Sequence, residues 1–289
     1  MRDLILHPQT KLAVNRFISK PSHAILLEGA EGAGKGALAT HITAEILKVD
    51  TTKIISYPFF RHLGPNNNAI SIDAIRDVQR FMRLKTLGDQ LIRRILIIEQ
   101  ADRLTIEAQN ALLKLLEEPP MDTIIILTTV SAVTLLPTTR SRVQAIHIKT
   151  PSQESLMDYF AAKDFKETAI RKAFYISEGQ VGLMHALLVA DTSHPLVEHI
   201  NIAKQLLAGS LFERLQGIDK FTKDKSSTTN LLQALVLVCH AALTQASSKH
   251  QTKQLRRWHR SLQKVTQIQR ALAANANPKL YLTDLMLNV

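Results

Sequence analysis

Three short apolar runs stand out in the first half of the chain, at residues 24–27, 95–98 and 124–127, each between segments whose apolar positions recur at helical spacing. Strands buried on both faces of a parallel sheet read as unbroken apolar runs and need helical crossovers between them. The alternation therefore predicts an α/β domain with a parallel sheet. Beyond Thr150-Pro151-Ser152 the strand pattern stops and the chain reads as helix, interrupted by turn signals at Ser177-Glu178-Gly179 and Asp191-Thr192-Ser193-His194-Pro195. The expected plan has three units: an α/β domain over residues 1–150, a small helical domain over 151–192 and an all-helical domain over 193–289.

Composition supports a globular chain, with 45% hydrophobic residues and only 10 Gly and 10 Pro in 289 positions. The one cysteine, Cys239, cannot form an internal disulfide, and no cysteine cluster exists to hold zinc, so a reducing, cytoplasmic setting is expected. No unbroken apolar stretch approaches the about 20 residues that cross a bilayer, and the N-terminal apolar run is too short for a secretion signal. Neither export nor membrane spanning is expected.

The net charge of +11 is spread over both halves, with 19 basic and 14 acidic residues up to position 150 and 17 and 11 after it. No acidic residue lies between Asp224 and Asp284. Within that interval Lys253, Arg256, Arg257, Arg260 and Lys264 share one face of a helical pattern, opposite Leu255, Trp258, Leu262 and Val265. Two readings stay open for this stripe: a solvated face, or a contact with nucleic acid or an acidic partner.

The candidate chemistry begins after the first apolar run, at Gly29-Ala30-Glu31-Gly32-Ala33-Gly34-Lys35-Gly36. Strand, glycine-rich turn and helix form the setting of a phosphate loop. Its backbone N–H groups and helix N-terminus cradle phosphates, and its lysine reaches the terminal ones. The pattern normally ends in Ser or Thr, whose hydroxyl holds magnesium, but position 36 is glycine. ATP fits the loop better than magnesium does. After the second run, Glu99 stands where an Asp usually faces the metal, and Gln100 stands where ATPases carry the glutamate that activates water. An amide cannot take up a proton at neutral pH, so general-base help is lost. Hydrolysis by this chain alone is not expected. A plain glycine-rich turn is the bland alternative.

Further motifs narrow the picture. Asn110-Ala-Leu-Leu-Lys-Leu-Leu-Glu-Glu-Pro-Pro120, the strand Ile124-Ile-Ile-Leu-Thr-Thr129, and Leu136-Pro-Thr-Thr-Arg-Ser-Arg142-Val143 follow in that order, with His7-Pro8-Gln9, His23-Ala24 and Ile72-Asp73-Ala-Ile75-Arg76 before them. Over roughly residues 5–190 this series resembles the clamp-loader family of bacterial DNA polymerase III, and within it the delta-prime branch. The resemblance implies an AAA+ domain, a helical lid and a helical collar through which subunits form a ring. It implies that Arg142, in Ser141-Arg142-Val143, is an arginine finger acting on the nucleotide of a neighbouring subunit. The cysteine usual after that arginine is replaced by Val143. It also implies that Thr128, less favoured Thr129, senses the terminal phosphate.

Two family features are missing. The second sensing arginine is absent from Gly179-Gln-Val-Gly182, and the four-cysteine zinc module is absent from the stretch Pro58-Phe-Phe-Arg-His62 to Asn66-Asn67-Asn68. No zinc is expected, and His62 reads as a surface histidine. The implied partners are motor subunits of the gamma/tau type, a clamp-opening delta-type subunit, and the sliding clamp and primed DNA through the complex. Competing readings are an ATP-hydrolysing motor subunit or other AAA+ hydrolase, and a stand-alone basic DNA-binding protein.

Overall fold

The structure, a computed structural model, describes residues 4–65, 69–192, 194–216, 218, 221, 225–273 and 276–288. Asn66-Asn67-Asn68 and Ser193, singled out above, lie outside the described residues. The chain divides into two compact units, Met1–Ser152 and Gln153–Val289.

The first unit runs α1 (Pro8–Ser19), β1 (Ala24–Glu28), α2 (Lys35–Leu47), β2 (Phe60–Leu63), α3 (Ile72–Met82), β3 (Arg94–Ile98), α4 (Ile106–Glu117), β4 (Thr123–Thr129), α5 (Pro137–Arg140) and β5 (Gln144–His147). The strands pair in parallel in the order β2-β3-β4-β1-β5. Side chains alternate across this sheet. Ile25, Leu27, Ile95, Ile97, Ile124 and Ile126 meet Val14 and Phe17 of α1 and Leu38 and Ile42 of α2 on one face. Leu26, Leu96, Ile98, Ile125 and Leu127 meet Ile75 and Val78 of α3 and Leu112 and Leu116 of α4 on the other. Both faces are covered, which is why β1, β3 and β4 are apolar throughout. The edge strands β2 and β5 are half exposed, with polar residues such as Arg61, His62 and Gln144, and the apolar runs do not reveal them.

Local chemistry sets the helix ends. His7 Nδ1 accepts from Gln9 N–H at 3.1 Å and Pro8 occupies the first turn, so the His-Pro-Gln motif is an N-cap for α1. Thr10 and Lys149 then tie that helix to β5, as Lys149 N–H donates to Thr10 Oγ1 at 3.0 Å. The Thr105 hydroxyl caps α4 by accepting from Ala108 N–H at 3.2 Å. Arg94, buried at the start of β3, donates through its guanidinium to the carbonyls of Met82 and Leu84 at the end of α3. A cation on those orphan carbonyls satisfies them and complements the helix dipole.

The second unit is helical: α6 (Gln153–Ala161), α7 (Glu167–Ser177), α8 (Val181–Val189), α9 (Pro195–Ala208), α10 (Leu211–Gln216), α11 (Lys225–Ser248), α12 (Thr252–Ala273) and α13 (Pro278–Asn288). The turn signals fall at helix ends. Glu178 and Gly179 take left-handed conformations after α7, and Pro195 opens α9 with His194 as its cap. Leu183 and Ala186 of α8 share one core with Leu196 and Ile200 of α9, Leu231, Leu235 and Cys239 of α11, Val265 of α12 and Leu282 of α13.

The expectation that no segment reaches bilayer-spanning length is corrected in one respect. Ser227–Ser248 in α11 is long and apolar enough by length and composition, a property masked by the polar residues that break its apolar runs. Its Leu231, Leu232, Leu235 and Cys239 are buried within the helical core.

Candidate nucleotide loop and outward arginine

The carboxyl ends of β1, β3 and β4 lie along one edge of the sheet, where open α/β folds gather their ligand loops. There the chain leaves β1. Gly29 N–H donates to Thr129 O at 3.2 Å, pinning the start of the loop to β4. Gly32 and Gly34 follow at φ +79° and +83°, left-handed values that L side chains rarely adopt. Gly34 is the N-cap of α2 and brings no side chain to its first N–H groups. These groups remain available to an anion.

Lys35 curls back onto this loop. Its Nζ donates to Gly29 O at 2.7 Å and Ala30 O at 2.8 Å. Burial pushes its pKa down, against the pull of Glu31, Asp102 and Glu99. To meet a phosphate the ammonium must leave two carbonyls for a stronger, charged acceptor.

Glu99 follows directly after β3. One of its carboxylate oxygens lies 3.4 Å from His62 Nε2, on the adjacent strand β2. Hydrogen bonding to His62 lowers the pKa of Glu99, with Lys35 adding to the effect, and the same contact raises that of His62. The other oxygen points at Gly36: a Cβ built there would lie 2.3 Å from Glu99 Oε1. His62, read from the sequence as a surface residue, keeps 46% of its side chain exposed and is the partner of Glu99. Gln100 is left-handed at φ +52°, and its N–H donates to Thr128 Oγ1 at 3.1 Å. Thr128 is thereby tied to the end of β3, while Thr129 bonds Asp102 Oδ1 at 3.1 Å.

Arg142 sits elsewhere. It follows the short helix α5, pairs with Glu117 Oε1 at 2.9 Å and donates to Thr138 O at 3.0 Å. With Ser22, His23 and Gln144 it lines an open cleft of about 480 Å³. Ser22 and His23 precede β1 and Gln144 begins β5, so this is the amino end of those strands. The phosphate loop lies at the other end of β1. A five-residue strand spans roughly 16 Å at about 3.3 Å per residue. Arg142 therefore faces away from its own loop.

Sequence reasoning named Gly29, Gly32, Gly34, Lys35, Gly36, Glu99 and Thr128, and the fold brings them to one edge of the sheet. It missed the His62 partner of Glu99 and the Glu117 partner of Arg142. The extra methylene of Glu99 relative to Asp was the one signal that its carboxylate reaches further than usual.

A parallel sheet in this strand order, with a glycine-rich loop leading from β1 into α2 and a helical unit following, defines a P-loop protein of the AAA+ class. Residues 9–152 match the family described as DNA polymerase III, delta subunit, and over that segment the chain belongs to it. The chain is 28% identical to DNA polymerase III subunit delta' of Pseudomonas aeruginosa over 212 residues, covering 65% of this chain and 64% of that protein. It is 26% identical to the delta' subunit of Escherichia coli over 199 residues, or 63% and 59% of the two chains. A DNA polymerase III subunit tau of Bacillus subtilis is 30% identical over 165 residues, 51% of this chain and 28% of that one. The chain thus spans less than two thirds of the length of each of these relatives. A DNA polymerase III gamma subunit-related protein from Thermotoga maritima shares the fold, with a TM-score of 0.57 at 20% identity over 96% of this chain and 97% of that one.

Proposed function

We propose that this chain is a delta-prime-like subunit of a bacterial replicative clamp loader. It acts as a non-hydrolysing stator in a ring with gamma/tau-type motor subunits and a delta-type clamp-opening subunit, and it helps place a sliding clamp on primed DNA. Its Arg142 serves nucleotide held by a neighbouring subunit.

One observation carries this reading. Arg142 lies at the end of β1 opposite the chain's own loop, and that loop lacks both the position-36 hydroxyl and a general base at Gln100. A guanidinium supplied across an interface neutralises charge on a transferring phosphoryl group, worth about 10³ to 10⁵ in rate. The pair with Glu117 does not prevent this. Its side chains are 35% and 48% exposed, and exposed ion pairs contribute only about 0–1 kcal/mol.

The test has two parts. The isolated chain should show no steady-state ATP turnover; turnover that Lys35→Ala abolishes would sink the stator reading. In a ring reconstituted with motor subunits, Arg142→Ala should leave assembly intact and lower DNA-stimulated ATPase. Arg142→Lys should not restore it, because a point charge lacks the planar fork of guanidinium. An unchanged rate in Arg142→Ala refutes the role.

A further inference from the structure

A nucleotide-bound magnesium needs oxygen ligands in a near-octahedral shell at about 2.0–2.1 Å. In a phosphate loop one of these comes from the Ser or Thr after the lysine. At that position this chain lacks the hydroxyl, and the space is also taken. A Cβ on Gly36 would fall 2.3 Å from Glu99 Oε1 and 3.5 Å from its carboxyl carbon, far inside contact distance. The Glu99 carboxylate thus stands where the hydroxyl-bearing side chain belongs. Hydroxyl and carboxylate exclude one another.

Three features make this a built arrangement. The glutamate is one methylene longer than the usual aspartate, which gives its carboxylate the reach. Its second oxygen is held by His62 at 3.4 Å from the neighbouring strand. The glycine supplies the room. Among the described residues no group of three or more His, Cys, Asp or Glu offers a metal an alternative cluster. The residues at this loop do not fit magnesium.

We propose that Gly36, Glu99 and His62 act as a linked set in which an internal carboxylate, braced by an imidazole, closes the magnesium position, so that the loop takes no magnesium-bound nucleotide. The proposal rests on the non-hydrolysing reading and gives it a physical cause at this loop. It also states that the loss cannot be reversed at one residue. Restoring the hydroxyl alone sets it against Glu99, and shortening Glu99 alone leaves no hydroxyl.

The experiment titrates a fluorescent ATP analogue into the full chain, with magnesium or with EDTA. The parent, Gly36→Thr and Glu99→Asp should each bind no more tightly with magnesium than without. Gly36→Thr/Glu99→Asp should gain about tenfold or more in affinity when magnesium is present, the scale on which metal surroundings act. Circular dichroism melts establish that each variant is folded. Gly36→Ser/Glu99→Ala opens the same space without a shorter carboxylate and should gain in the same direction. Magnesium-dependent binding by the parent or by Gly36→Thr alone overturns the proposal, as does the absence of any gain in both folded double variants. Binding is read on the isolated chain, so the result is separable from ring assembly: a chain that joins no ring yet ignores magnesium overturns the clamp-loader reading and leaves this one standing.

Discussion

Burial decides how individual groups in this chain behave. Cys239 lies in the core of the helical unit with no exposed surface, and desolvation pushes its thiol up to about 11. The thiolate is the reactive form, so a pKa raised this far leaves the neutral thiol at pH 8. A thiol reagent at that pH should leave the folded chain unmodified and react once denaturant is added; rapid labelling of the folded chain would contradict this burial. Lys35 and Glu99 are set by the same physics with different outcomes. Lys35 is partly stripped of water and shifts toward neutrality. Glu99 has His62 as a partner and keeps its charge further down the pH scale.

At the level of elements, two positions hold geometry that neighbours cannot replace. Gly34 turns the chain into α2 at φ +83°, and an L side chain in that region costs about 1–2 kcal/mol. Gly34→Ala should lower stability by about that amount in urea denaturation, and a neutral result would mean the loop can adopt another path. Arg94 is the second. Its guanidinium serves the last carbonyls of α3 from inside the fold, and each buried polar group left without a partner costs about 1–3 kcal/mol. Arg94→Met keeps most of the volume and removes the donors. It should destabilise the chain by about 2–4 kcal/mol in the same assay, whereas loss of an exposed arginine such as Arg76 should fall within about 0.5 kcal/mol.

The basic stripe of α12 belongs at this scale too. Lys253, Arg256, Arg257 and Arg260 are exposed, Arg257 rests 5.1 Å over the Trp258 ring, and Lys264 is drawn to Asp284 at 2.9 Å. Trp258, Leu262 and Val265 face the core, as the helical pattern requires.

For the molecule as a whole, each of the two units closes its own core. Residues 1–152 bury both faces of the sheet with helices from the same segment. Expressed alone, that segment should give a cooperative thermal transition. Cutting at about residue 200 should behave differently. It strips Leu183 and Ala186 of the partners they share with α9, α11, α12 and α13, so the remnant after 152 should expose apolar surface and bind a hydrophobic dye. A cooperative melt with no dye binding in the longer truncation would show that α6 to α8 stand alone.

The parallel α/β half, the glycine-rich loop, the missing hydroxyl at 36 and the amide at 100 were all legible along the chain, because each depends on residues within a few positions of one another. Unbroken apolar runs report strands covered on both faces, and β2 and β5 escaped notice because an edge strand buries too little to need such a run. What folding alone decided are meetings between distant positions: Glu99 filling the space beside Gly36 with His62 behind it, Arg94 on the carbonyls of α3, Arg142 paired with Glu117 at the far end of β1. No local period encodes these meetings. A side chain's reach and partner are set by the register of strands and the packing of helices around it, which exist only once the sheet has formed.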